Sequence, residues 1–267
     1  MHRLFVETSL LNEEAPTLPK DAAKHLKVLR PKDGEEIELF DGKGKWRVYR
    51  FCASPGSGKD SASLLKAASE IISSLVPRPS SLTLFACVTK GSRWDWTIEK
   101  ATELGVSRIV PVISDRTIVR IPKAERAAKR ERWLRIAEEA ARQSDAKWLP
   151  EILEAVDFVD VLPLVRETTC FIGALTSPPS QPLALAVREV KEKVEKRGGG
   201  GQRTVQMPMS VFVGPEGDFT PDELKALMDV ATPTSFGPTI LRAETAAIFA
   251  VSVLASMLVF NERAGCK

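Results

Sequence analysis

The chain has 267 residues, with 38 lysines and arginines against 35 aspartates and glutamates and a net charge of +3. That length holds one large domain or two modest ones, and a charge so close to balance permits nucleic-acid binding without demanding it. Cys52, Cys87, Cys170 and Cys266 are far apart with no CxxC pair, which argues against a zinc site or a disulfide framework and fits a reducing compartment.

Met1-His2-Arg3 leads into a short apolar run, Leu4-Phe5-Val6, that suits a strand and is too short for a secretory signal. Asp21 to Arg30 reads as a helix closed by Pro31. Ile37 and Leu39 alternate with polar residues between Glu35 and Phe40, and the alternation returns over Trp46 to Phe51. Asp41-Gly42-Lys43-Gly44 fits the hairpin turn between these two strands. Residues 1–77 therefore read as a small β-rich domain. Pro55-Gly56-Ser57-Gly58-Lys59-Asp60 imitates a phosphate loop, but Ala53 and Asp60 stand where that pattern needs Gly and Ser or Thr. Pro77 and Pro79 mark a linker.

Residues 78–267 alternate strand and helix. Strands are expected at Leu82–Val88, Ile109–Ile113 and Cys170–Leu175, and helices at Trp94–Leu104, ended by Gly105, and Arg126–Ala141. This order predicts an α/β domain whose parallel sheet is covered on both faces. Lys191 to Arg197 is a charged helix end, followed by a Gly198–Gly201 insertion.

The densest stretch comes last. Val211-Phe212-Val213 is a buried-strand run that stops at Gly214-Pro215-Glu216-Gly217. Thr220, Pro221 and Glu223 then fit the N-cap, first and third positions of a helix with a capping box. A second loop, Phe236-Gly237-Pro238-Thr239, leads through Ile240-Leu241-Arg242-Ala243-Glu244-Thr245 into the apolar run Ala246 to Phe260. That run contains Ser252 and Ser256 and falls short of the roughly 20 residues of a membrane span. A buried or interface helix is expected, with no membrane contact and a two-fold dimer to cover it.

The two loops, in this order and a helix-length apart, resemble the C-terminal signature of the SPOUT superfamily of trefoil-knotted methyltransferases, and within it the RsmE family. The family pattern is GPEGGF and LGxRxLRxETA; this chain has GPEGDF and FGPTILRAETA, with Asp218 for a glycine, Phe236 for a leucine and Thr239 for an arginine. Thr89-Lys90-Gly91 with Lys100 to Val106 resembles the family's KG and KxxELGV segments. Glu139 to Ser144 with Leu149-Pro150-Glu151-Ile152 resembles its EAxEQSGR and PEI segments, except that Asp145 and Ala146 replace Gly-Arg. The resemblance implies a C-terminal knotted methyltransferase domain, an N-terminal PUA-like β-barrel that helps hold RNA, and a homodimer in which the partner chain completes each site. It implies S-adenosyl-L-methionine as cofactor, no metal, and methylation of N3 of a uridine in small-subunit (16S-type) ribosomal RNA. The setting would be the bacterial cytoplasm, or a chloroplast or mitochondrion for an organellar copy.

Methyl transfer by in-line displacement asks the protein mainly to place a nucleophile behind the methyl group. Gly214, Gly217 and Gly237 let backbone approach the adenine closely, and Val213, Ile240 and Leu241 supply apolar walls. The resemblance adds Pro215, Glu216, Phe236, Arg242 and Thr245, and a third loop at Leu175 and Thr176. Uridine N3 must lose a proton, so a base and a nearby cation are needed. Glu216 and Glu244 are the candidate bases and Arg242 the candidate cation, with Arg93 as a second; Glu244 could equally be a helix-start carboxylate, and Glu216 a loop brace. RNA contacts are expected from Arg3, Lys27, Arg30, Lys90, Arg93, Arg116, Arg142 and Gln143, whose cations would face phosphates. The basic run from Arg116 to Arg135 fits an RNA face or an ordinary solvated helix. Two other readings stand beside this one: a SPOUT methyltransferase acting on another RNA site or atom, and a non-catalytic RNA-binding or ribosome assembly factor.

Overall fold

The computed structural model describes residues 1–52, 64–73, 82–173, 180–197 and 208–263. The phosphate-loop imitation, the Pro77–Pro79 linker, the Gly198–Gly201 insertion and the loop at Leu175 and Thr176 lie outside them. The chain forms two compact units: Met1–Arg78 with Glu138–Leu149, and Pro79–Ala137 with Pro150–Lys267. The sequence reading had placed 138–149 in the second.

In the first unit the elements are β1 (His2–Phe5), α1 (Thr8–Leu11), α2 (Lys20–Leu29), β2 (Glu36–Phe40), β3 (Lys45–Cys52), β4 (Leu64–Ala67) and β5 (Ile72–Ser73). The sheet runs β1-β2-β3-β4, with β5 also paired to β3. β1 lies parallel to β2, with Leu4 opposite Leu39, and β2 pairs antiparallel with β3. The hairpin turn forms where expected: Asp41 Oδ1 accepts hydrogen bonds from the amides of Lys43 (2.8 Å) and Lys45 (3.0 Å), and Gly42 and Gly44 both take positive φ. Leu4, Leu11, Leu26, Ile37, Leu39 and Tyr49 form the core. α2 stops at Arg30, which adopts the left-handed conformation (φ 49) just before Pro31.

One strand position departs from simple alternation. Glu38 should point to solvent between Ile37 and Leu39, yet it is only 2% exposed. Its carboxylate accepts hydrogen bonds from Arg3 Nε (2.8 Å) and from Lys147 Nζ (2.7 and 2.9 Å). Arg3 also donates to the carbonyls of Ala141 (2.7 Å), Arg142 (3.3 Å) and Ala146 (3.2 Å), and its guanidinium lies 4.4 Å from the Phe40 ring centroid. A cation against carbonyls at a helix C-terminus is favourable. Burial of both charges is tolerable because nearly every donor and acceptor finds a partner.

The second unit holds β6 (Leu82–Cys87), α3 (Ser92–Glu103), β7 (Arg108–Ile113), α4 (Lys123–Gln143), β8 (Glu151–Ile152), β9 (Val156–Asp157), α5 (Phe158–Arg166), β10 (Thr169–Gly173), α6 (Leu183–Arg197), β11 (Met209–Val213), α7 (Pro221–Met228), β12 (Ala231–Thr234) and α8 (Ala243–Arg263). The last turns of α4, from Glu138, are counted with the first unit. The sheet order is β12-β10-β11-β6-β7-β8, with β9 also on β7, and every pairing is parallel. β6 and β11 are buried at every position, as strands covered on both faces must be. On one face Phe85, Val110, Ile172 and Phe212 pack with Phe158 and Val161 of α5, with Phe219 of the loop after β11 and with Leu227 of α7. α8 packs against β11, β6 and α3. It buries Ala247, Ala250, Val251 and Leu254 and leaves Phe249 40% exposed. The unit therefore covers one side of the apolar helix, more than its composition suggested. No helix among the described residues is long and apolar enough to cross a membrane.

Candidate active site

β12, β10 and β11 are neighbours in the sheet, and the loops that follow β11 and β12 carry the residues of interest. After β11, Gly214 meets the ring of Phe219: a Cβ added at Gly214 would sit 2.8 Å from it. The glycine is thus required by packing within the loop. Asp218 has φ 59, the left-handed region that Asp enters more readily than most residues. Its Oδ1 accepts from the Phe219 amide at 2.8 Å. The departure from the family's glycine is accommodated by a residue type suited to that backbone. The capping box forms as expected: Thr220 Oγ1 accepts from the Glu223 amide (3.2 Å), and Glu223 Oε2 accepts from the Thr220 amide (2.9 Å).

The second loop leaves β12 at Thr234, whose hydroxyl donates to the Ile172 carbonyl at 3.1 Å. The Phe236 ring lies over Gly173, where a Cβ would be 2.4 Å away. Gly237 has φ 129 with open space around it, so its backbone conformation is what calls for glycine. The chain then enters α8, whose first turn carries Arg242's neighbours Ala243 and Ala246 on the same cavity wall.

That cavity measures about 330 Å³. It is lined by Val213, Gly214, Pro215 and Glu216 from the first loop and by Phe236, Gly237, Ile240, Leu241 and Arg242 from the second. Gly217 and Thr245, both expected in the site, do not line it. Gly217 faces Arg116 instead, and Thr245 lies exposed on α8. The sequence reading missed Gly173, Asp218, Thr234, Ser235, Thr239, Ala243 and Ala246. Glycine at the end of a strand was the available signal for Gly173; Thr234 was hidden in a strand that contains Pro233.

The charged groups separate clearly. Glu216 is ion-paired with Arg93 at 3.2 Å. Arg242 is exposed, and its side chain has no hydrogen-bonding or ion-pair partner among the described residues. Glu244, a candidate base, does not line the cavity; it is 9% exposed and its Oε2 is buried without a hydrogen bond. The carboxylates that line the cavity are Glu216 and Asp218. Burial pushes the thiols of Cys87 and Cys170 up to about 12, so neither is a nucleophile near neutral pH. Among the described residues no cluster of His, Cys, Asp or Glu could hold a metal ion.

The residues expected to touch RNA divide too. Arg3 is buried in the ion network around Glu38, and its Nε, Nη1 and Nη2 all donate within the protein. Arg142 pairs with Glu139, as does Gln143 at 3.3 Å. Arg116 donates to loop carbonyls of Gly217 and Phe219. Lys27, Arg30 and Lys90 are exposed and make no ion pair among the described residues. Within the basic run, Arg126 is paired with Asp157, Arg130 bonds the Ile152 carbonyl and Arg132 pairs with Asp95, so much of it serves α4's own packing.

The cavity suits S-adenosyl-L-methionine by size and donor chemistry. Its volume lies at the lower end of pockets for drug-sized ligands, about 300–1,000 Å³. The N-terminal end of a 21-residue helix and Arg242 suit a carboxylate, and Glu216 and Asp218 suit a cation.

Comparison with known proteins agrees. Residues 76–255 match the profile of the RNA methyltransferase domain family, and residues 18–51 that of the RNA methyltransferase PUA domain. The chain is 28% identical over 259 residues to the ribosomal RNA small subunit methyltransferase E of Bacillus subtilis, covering 95% of this chain and 96% of the relative. It is 30% identical over 262 residues to that of Synechocystis, covering 96% and 78%. The crystal structure of the Neisseria gonorrhoeae ribosomal RNA small subunit methyltransferase E bound to S-adenosyl methionine superposes with a TM-score of 0.75 at 26% identity, over 96% of this chain and 98% of that one. Two signature loops meeting at one cavity, a family profile spanning most of the chain and full-length relatives lead to one assignment: the chain belongs to the RNA methyltransferase family, in its ribosomal RNA small subunit methyltransferase E (RsmE) branch.

Proposed function

We propose that this protein is an S-adenosyl-L-methionine-dependent methyltransferase acting on N3 of a uridine in small-subunit ribosomal RNA. The observation that carries the reading is the common cavity of the Gly214–Asp218 and Phe236–Arg242 loops, with an unpaired guanidinium at its wall. When bound, the cofactor supplies an electrophilic methyl group on a sulfonium. The chain's own work is to bind, orient and handle one proton. Glu216, ion-paired with Arg93 and lining the cavity, is our candidate to accept the N3 proton. Arg242 then faces the negative charge that deprotonation spreads over the ring carbonyls, a stabilisation that grows toward the transition state. The target uridine must be unpaired or extruded, because N3 lies on the pairing edge. Lys27, Arg30 and Lys90, exposed and unpaired among the described residues, are the cations available for RNA phosphates. The exposed Phe249 and Thr245 of α8 mark the face on which a second copy would dock to form the dimer. The protein would work where small ribosomal subunits mature, in a bacterial cytoplasm or an organelle.

The test is to incubate the protein with methyl-labelled cofactor and unmodified small-subunit RNA, then digest to nucleosides and analyse by mass spectrometry. Labelled 3-methyluridine is the expected product. A label on another atom would transfer the reading to a methyltransferase of different specificity, for which Asp218 and Thr239 at the cavity are the departures to examine. No cofactor binding in calorimetry would favour a non-catalytic RNA-binding factor.

A further inference from the structure

Arg116 was expected to hold RNA. Its surroundings indicate different work. The guanidinium Nη1 donates to the carbonyls of Gly217 (3.0 Å) and Phe219 (3.2 Å), across about a hundred residues of sequence. The same side chain's Cβ and Cδ lie under Gly217, 3.4 and 3.7 Å from where a Cβ would be. The loop that carries Arg116 is itself fixed. Ser114 and Thr117 hydroxyls bond each other at 2.9 Å, and Arg120 donates to the carbonyls of Ser114 (3.0 Å) and Asp115 (2.6 Å). Glu223, 6% exposed, adds a second strut: one carboxylate oxygen accepts from the Asp115 amide (2.9 Å) and the other from the Thr220 amide (2.9 Å). Both ends of the Gly217–Thr220 turn are therefore tied to the loop that follows β7.

We infer that Arg116 is a positioning residue for the cofactor: it holds the Gly214–Phe219 loop in its binding conformation and acts on the methyl donor only through that loop. This rests on the proposed reading of the cavity. A cationic donor with two backbone acceptors pre-forms a loop that would otherwise be ordered at the expense of ligand affinity. The predicted signature is a selective loss of cofactor affinity, with turnover at saturating cofactor and the Michaelis constant for RNA little changed.

The experiment compares wild type, Arg116→Ala and Arg116→Lys by calorimetry with S-adenosyl-L-methionine, by steady-state kinetics in both substrates, and by hydrogen exchange of the Gly217–Thr220 amides without ligand. Arg116→Ala should weaken cofactor binding about tenfold, with faster exchange in that turn. Arg116→Lys should recover part of both, because a flexible ammonium lacks the guanidinium's fixed plane. Unchanged cofactor affinity with a raised Michaelis constant for RNA would overturn the inference and return Arg116 to RNA contact. So would unchanged exchange in the turn. If wild type itself binds no cofactor, the functional reading fails, and the exchange result still decides whether Arg116 braces the loop.

Discussion

Arg3 and Arg242 were both assigned functional contacts, and their surroundings could hardly differ more. Arg3 sits within the first unit, its donors directed to Glu38 and three backbone carbonyls. Arg242 sits at the cavity of the second, its guanidinium with no partner among the described residues. A charge satisfied inside the protein contributes to folding. A charge left unsatisfied at a concave surface is available to a ligand. The distinction lies in what surrounds each guanidinium, since residue type is the same in both.

The sharpest way to break this comparison is Arg242→Ala. Turnover should fall about a hundred- to a thousandfold, by analogy with loss of one transition-state donor, while the thermal midpoint stays close to wild type. Wild-type turnover would remove Arg242 from catalysis. Arg3→Ala should do the reverse. It leaves part of Glu38's charge buried and removes the guanidinium bonds to the helix-end carbonyls, so unfolding in denaturant should show a loss of roughly 2–3 kcal/mol, below the full cost of orphaning a buried charge because Lys147 remains. Turnover per folded molecule, assayed well below the midpoint, should be unchanged.

Gly214→Ala sharpens the contrast by acting on both quantities. The new methyl meets the Phe219 ring, and overpacking of this kind costs about 1–3 kcal/mol. Cofactor affinity should fall with it, because the loop must shift; calorimetry and denaturant unfolding on one preparation measure both. The smallest effect is expected for Asp218→Gly. Relief of the left-handed backbone is offset by a more flexible unfolded chain and the lost bond to the Phe219 amide, so stability should change by under about 1 kcal/mol.

The same contrasts separate what a sequence carries locally from what only the folded chain brings together. Local chemistry was legible: the capping box at Thr220 and Glu223, the Asp41–Gly44 turn and the buried runs of β6 and β11 each follow from a few neighbouring residues. Motif order brought Gly214 and Gly237 to one cavity. What escaped was set by distant partners. Strand alternation put Glu38 in solvent because nothing near it in sequence announces Arg3 or Lys147. Glu244, two residues past Arg242, turns into the helix's buried side and away from the cavity. α5 was missed because Pro163 lies inside it, and β12 because Pro233 interrupts an already short run.

That proline has a further effect. Among the described residues β12 ends the sheet on its outer side, its ladder made with β10, and Ser235 just beyond it bridges to Pro182. An edge strand normally offers a row of open amides and carbonyls to any extended chain that drifts past. Four residues with Pro233 among them make a poor template, because one donor is missing and the ring stands where a visitor's backbone would lie. Sheet-extending aggregation is discouraged at that rim, and encounters between copies are directed toward the helical faces.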